Sequence, residues 1–197
     1  MGQIITYPDN HEPDRFTTAQ LDWLPWIAPL DEAALTDRHY EGLVDRSRSK
    51  SAYFRLLARD PDVLGARTRT DKDIFYSRGG LPRAERELAA AAVSRLNGCI
   101  YCASVHARFS IQFSKDDGDV TRLLEQGTDA VDEGRNGAVV RTAVALTRSP
   151  DQFGEAGIAA LDEAGFGDDE IVDLIQAAAF FNWANRLMLS LGEPQAS

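Results

Sequence analysis

Cys99 and Cys102 are the only cysteines of this 197-residue chain, three positions apart, and His106 follows four positions after the second. Two thiols one helical turn apart can do redox chemistry, because their α-carbons fall within the roughly 4.4–6.8 Å that a disulfide tolerates. Such chemistry needs thiolate, and an ordinary cysteine with a pKa near 8.5 is only about 3% ionised at pH 7. Two features of this stretch favour ionisation. Cys99 falls at the expected start of a helix, where unpaired N–H groups and the dipole stabilise an anion. His106 lies one turn beyond Cys102, within reach of its proton directly or through one water. A pKa of about 7 would bring the thiolate fraction to half, roughly a fifteen-fold gain.

The helix expected before this one carries two acids, Glu85 and Glu87. Glu87 heads an uncharged, alanine-rich run, so its carboxylate is expected at the edge of buried surface. There it can orient the imidazole and favour its protonated form. Glu85 is the competing acid and faces another side of the helix. Two other readings of the cysteine pair compete with redox chemistry. Two inert buried cysteines are one. The other is a zinc site built from Cys99, Cys102, His106 and Glu87, but structural zinc usually shows a second Cys or His pair, which this chain lacks. Haem attachment fails because Ala103 stands where Cys-x-x-Cys-His needs histidine. The residues call for no cofactor and no metal. His11 and His39 lie in polar surroundings and are assigned no role.

The elements that must position these residues are helices. Projected on a helix, Cys99, Cys102, His106, Phe109 and Phe113 form one stripe. The phenylalanines of that stripe are expected to pack in the core first and to wall a pocket second. Pro82 opens the preceding helix, which runs to about Leu96. From Leu88 to Ser94 it is uncharged and mostly alanine, a composition that allows close packing on more than one side. Asn97-Gly98 is a turn or helix stop. Asp60-Pro61 opens a helix toward Tyr76, and Gly79-Gly80 breaks the chain. Further helices are expected near 120–125 and 135–147, after Ser149-Pro150, and from Gly167-Asp168 onward. That last helix has no charge between Asp173 and Arg186, and its Asn182 and Asn185 are expected to pair as core polar groups.

Residues 1–30 read as an extended strap. Pro25 and Pro29 interrupt its apolar segment, and Trp23 and Trp26 are expected to pack rather than to stack on a ligand. No run alternates apolar and polar residues over a useful length, so no strand is expected. The result is an all-α fold of about eight helices, in which the strap precedes a single domain over 31–197.

With 44% hydrophobic residues the chain can build its own core, and a formal charge of −10 argues against nucleic acid and anionic membrane surfaces. The stretch Arg46–Lys50 reads as a solvated face. The start, Met1-Gly2-Gln3-Ile4-Ile5-Thr6, has neither a basic nor an apolar leader region; its match to a myristoylation pattern is short enough to arise by chance. No apolar run reaches about 18 residues. The expectation is a cytoplasmic protein in a reducing compartment, where Cys-x-x-Cys is catalytic or metal-binding rather than structural.

Leu81-Pro82-Arg83-Ala84-Glu85-Arg86-Glu87, followed by Leu96-Asn97-Gly98-Cys99-Ile100-Tyr101-Cys102 and His106, resembles the alkylhydroperoxidase D-like (carboxymuconolactone decarboxylase) family in its peroxidase-related branch. The Trp-rich strap and Phe181-Asn182-Trp183-Ala184-Asn185-Arg186 also look like that branch. The resemblance implies catalytic roles for Glu87, Cys99, Cys102 and His106. It also implies a homo-oligomer, a trimer or hexamer, with the site near a subunit interface. The implied activity is a peroxidase that acts on hydroperoxides and is re-reduced by an external dithiol. Some members carry histidine just before the second cysteine, where this chain has Tyr101, so no relay step through that position is implied. Either cysteine could be the attacking one. Family decarboxylases typically lack the cysteine pair, which counts against a muconolactone-type lyase. A redox-sensing or structural oligomer of the same fold is the non-enzymatic alternative.

Overall fold

The computed structural model describes residues 4–196; the Met1-Gly2-Gln3 part of the myristoylation-like start lies outside the described residues. Nine α-helices are present among them: α1 (Asp37–Leu43), α2 (Ala52–Leu57), α3 (Pro61–Tyr76), α4 (Arg83–Asn97), α5 (Ile100–Ser114), α6 (Gly118–Gln126), α7 (Gly134–Arg148), α8 (Pro150–Glu163) and α9 (Asp168–Leu191). The mostly helical class agrees with the sequence expectation, with nine helices where about eight were expected. None of these helices is long and apolar enough to cross a membrane.

The alanine-rich α4 is the hub, packed against α5, α7 and α9. Ala89, Ala90, Ala91, Ala92 and Val93 have no solvent exposure, so small side chains let neighbours close in from several directions. Gly98 ends α4 in a left-handed conformation, φ 81°, which a side chain would strain. The turn is tight enough that the Cys99 N–H still bonds to Ser94 O at 2.9 Å, and Cys99 then caps the start of α5. The Asn97-Gly98 break therefore folds α5 back along α4.

The expectation of no strand is overturned. Strand β1 (Leu21–Pro25) pairs antiparallel with β2 (Gly192–Ala196), placing Trp23 opposite Pro194. β1 is only five residues long, and Gly192-Glu193-Pro194-Gln195-Ala196 carries no strand signature. Their pairing joins the two ends of the chain, which local patterning cannot report. Trp23 is buried and donates its indole N–H to Met188 O at 3.3 Å, so it packs as expected. Trp26 donates to Glu193 Oε2 at 2.7 Å.

Arg86, just before Glu87, is 1% exposed. Its guanidinium donates to the carbonyls of Ile74, Gly79 and Leu81, to Ser77 Oγ, and to Asp173 Oδ2 at 2.8 Å. Asp173 also accepts the Leu81 N–H at 3.0 Å. This network ties the α3–α4 loop to α9. Gly80 has a φ of 62°, which side chains rarely adopt, and a side chain there would meet the Asp173 carboxylate, so glycine suits the loop that wraps the pair. Arg86→Met should strand Asp173 and several carbonyls and cost about 3–5 kcal/mol. Thermal denaturation should then show a midpoint lower by roughly 10 °C; a shift of one or two degrees would contradict this account.

Candidate active site

The site forms where α4, α5 and α9 meet beneath α2 and α3. α4 places Arg83 and Glu87 one turn apart on one face. Glu87 is 1% exposed, deeper than the edge position expected from sequence. A buried carboxylate needs donors, and it has two: Arg83 Nε–H to Oε1 at 3.1 Å and His106 Nδ1–H to Oε2 at 2.6 Å. Because a carboxylate accepts, the Nδ1 proton is committed to Glu87, leaving Nε2 as the nitrogen free for chemistry. The ring's tilt is set by Phe181, edge-on with centroids 4.0 Å apart, and by Phe75 at 5.6 Å. Glu85 points elsewhere, as expected, and binds Arg135 at 3.0 Å.

Arg83 is itself held by aromatic rings. Its guanidinium lies 3.9 Å from the Tyr76 ring centre, 4.2 Å from that of Phe113 and 5.6 Å from that of Phe109. The first expectation for Phe109 and Phe113, core packing, is corrected here, while the second, a pocket wall, holds for Phe109. Phe109 lines a cavity and Phe113 is 42% exposed, because the deepest face of α5 is Ala103, Ala107 and Ser110 instead. Small residues there allow the close approach to α4, and the larger stripe faces outward from that seam.

Both cysteines are reduced and buried. Cys102 and His106 share one cavity of about 280 Å³, whose walls include Tyr53, Arg67, Phe75 and Phe181. Cys99 sits behind Cys102 at the helix start. Among the described residues, no direct hydrogen bond joins His106 to either sulfur, so the direct route expected from sequence is not formed, although Cys102 and His106 line the same cavity. The expected lowering of both thiols is also corrected. The Cys99 thiol is held below its ordinary value, first by the hydrogen bond from the Cys102 side chain, and further by the Cys102 N–H and the Asn185 amide. Cys102 is pushed well above the ordinary value by burial and by its neighbour Cys99. Two thiols this close share one negative charge rather than carrying one each.

Asn185 is fully buried. It accepts from Asn97 Nδ2 at 3.1 Å and donates to Ser94 Oγ at 3.0 Å, the core polar pairing the sequence led one to expect. Asn182 accepts from the same Asn97 amide at 3.2 Å. That the Asn185 amide also favours both thiolates had no signal in the sequence. Tyr53 and Arg67 were likewise missed, because α2 and α3 reach the cavity only in the folded chain. Arg48 corrects the reading of Arg46–Lys50 as a solvated face. A 3₁₀ turn over Arg46–Lys50 turns its guanidinium inward, 4.8 Å from the Phe54 ring centre and 3.3 Å from Thr68 Oγ1. Among the described residues no group of three or more His, Cys, Asp or Glu side chains is arranged as a metal site.

Residues 61–148 match the carboxymuconolactone decarboxylase family. No curated protein matches the sequence significantly. Among solved structures, the chain is similar to the alkylhydroperoxidase AhpD core of an uncharacterized peroxidase-related protein from Ralstonia eutropha JMP134. The two share 26% identity at a TM-score of 0.72, over 85% of this chain and 90% of that one. A peroxidase-related protein from Silicibacter sp. TM1040 gives 24% identity and a TM-score of 0.68, over 86% and 92%. The debrominase Bmp8, in complex with 2,3,4-tribromopyrrole, shares the fold at 16% identity and a TM-score of 0.59, over 83% and 87%. The family match is thus confined to residues 61–148, and the fold of the described residues is similar to that of the alkylhydroperoxidase AhpD core. The family and the first of these neighbours support a peroxidase-related or decarboxylase-like role.

A pH titration of thiolate ultraviolet absorbance tests the site directly. The first proton should leave the pair below the ordinary thiol range near 8.5, and the second well above it. Asn185→Leu removes a donor to the anion, so both midpoints should rise. A single two-proton step near 8.5, unmoved by that substitution, would refute the coupled pair.

Proposed function

We propose that the chain is a thiol peroxidase that reduces hydroperoxides through Cys102 and Cys99, assisted by His106 and Glu87. The observation that carries this reading is that Cys102 opens on the same cavity as an imidazole already oriented by a buried carboxylate. The reduced pair loses one proton, which passes through the cavity to His106 Nε2. The remaining proton moves from Cys102 to Cys99, giving a Cys102 thiolate without further change in net charge. That sulfur attacks the terminal oxygen of the hydroperoxide, forming an S–O bond as the O–O bond breaks. The departing alkoxide takes the proton from His106 and leaves as an alcohol. The Cys99 sulfur then attacks the Cys102 sulfenic acid, releasing water and closing the disulfide. An external dithiol restores both thiols by exchange.

Glu87 acts through His106, holding its Nδ1 proton and supporting positive charge on the ring. Further copies of this chain are the second expected partner, and the half-exposed Val172, Trp183 and Leu189 of α9 offer apolar surface for them.

Steady-state turnover with an organic hydroperoxide and a dithiol tests the reading. Cys102→Ser should abolish turnover. His106→Asn should lower kcat/KM by about 10²–10⁴-fold. Cys99→Ser, given hydroperoxide without dithiol, should consume one equivalent and hold a trappable sulfenic acid on Cys102. If the reduced protein keeps both thiols while hydroperoxide persists, the proposal is wrong.

A further inference from the structure

Tyr53 and Arg67 line the cavity beside Cys102 but have no part in the thiol–imidazole relay. Tyr53 is 9% exposed and the Arg67 side chain also 9%. The Tyr53 hydroxyl and the Arg67 Nε nevertheless have no hydrogen-bond partner, and Arg67 Nη1 has only the ion pair with Asp71 Oδ2 at 3.4 Å. Buried donors left without acceptors are costly, most of all on a cation, and their persistence calls for a ligand. The charges around the cavity say of what sign. Arg48, Arg67 and Arg83 face it, against only Asp71 and Glu87. Glu87 is engaged by Arg83 and His106. Asp71 is shared, 3.4 Å from Arg67 and 3.7 Å from Arg48, so one guanidinium charge is left over. A surplus positive charge inside a chain of net charge −10 is a local feature, not a bulk one.

The surroundings of Arg67 fix its use. The rings of Phe54 and Phe180 lie 5.5 and 5.2 Å from its guanidinium carbon and hold the group in place. Burial keeps the Tyr53 phenol protonated, so it remains a donor. The remaining wall near Cys102 is apolar, with Phe75, Phe109, Phe181 and Met188. We propose that Arg67 and Tyr53 form a binding site for the single anionic group of a small, apolar-bodied ligand, of the chemistry of a carboxylate. A cavity of about 280 Å³ suits a one-ring acid rather than a long-chain one. Resting on the peroxidase reading above, the substrate class is then a small organic hydroperoxide bearing an acid group, its anion at Arg67 and its peroxide at Cys102.

The test uses benzoate and its uncharged analogue benzyl alcohol on the reduced full-length protein, followed by calorimetry. Benzoate should bind at least tenfold more tightly. Arg67→Gln should erase the difference, and Tyr53→Phe should reduce it severalfold. A second measurement needs no variant: benzoate should slow alkylation of Cys102 by iodoacetamide, and benzyl alcohol at equal concentration should not. Equal affinity for the two compounds, equal protection by them, or a preference that survives both substitutions overturns the proposal. Benzoate selectivity without any hydroperoxide turnover keeps this site and removes only the peroxidase reading. Turnover without benzoate selectivity keeps that reading and removes only this site.

Discussion

A carboxylate with 1% exposure is the constraint around which this molecule is arranged. Glu87 can be buried only if charged or polar donors meet both of its oxygens. Arg83 meets one from the same helix, four residues away. His106 meets the other from α5, nineteen residues away. That second contact requires α5 to fold back tightly on α4, which the left-handed turn at Gly98 and the alanine-rich seam make possible. Bulkier residues along the seam would separate Glu87 from the imidazole and leave a buried charge half satisfied.

The same fold-back sets an asymmetry between the two cysteines. Cys99 is the first residue of the α5 turn, with the Asn185 amide and the Cys102 N–H beside its sulfur. Cys102 is one turn further, where its sulfur reaches the cavity and burial disfavours its anion. One sulfur stores negative charge while the other meets the cavity. A proton shared between them connects the two conditions without bringing water into the core.

Residues remote from the thiols complete the site through the packing of α9. The buried Arg86–Asp173 pair ties that helix to the loop before α4. Phe181 and Asn185, further along α9, then stand over His106 and the thiols respectively. The strap packs behind the cavity wall. Trp23 meets Tyr53 edge-on at 5.4 Å, and Ser104 on α5 donates to the strap carbonyl of Ala19. The β1–β2 pairing joins the strap to the end of α9, so the strap backs the Tyr53 wall of the cavity without lining it.

Local spacing by itself determined the helices from α3 onward, the Asn97-Gly98 turn, and the placing of Cys102 and His106 one turn apart on α5. These follow from helical periodicity and turn chemistry, which act over a few residues. Glu87 was legible as a candidate from its place at the head of the alanine-rich run; its full burial was not, since that depends on what packs against α4. The strand pair, the inward turn of Arg48, and the arrival of Tyr53, Arg67 and Asn185 at the cavity were settled by tertiary structure alone. Each involves groups tens of residues apart whose meeting reflects summed packing and burial of the whole chain. The division of charge between the two sulfurs belongs there too, because desolvation and hydrogen bonding exist only once the core has closed.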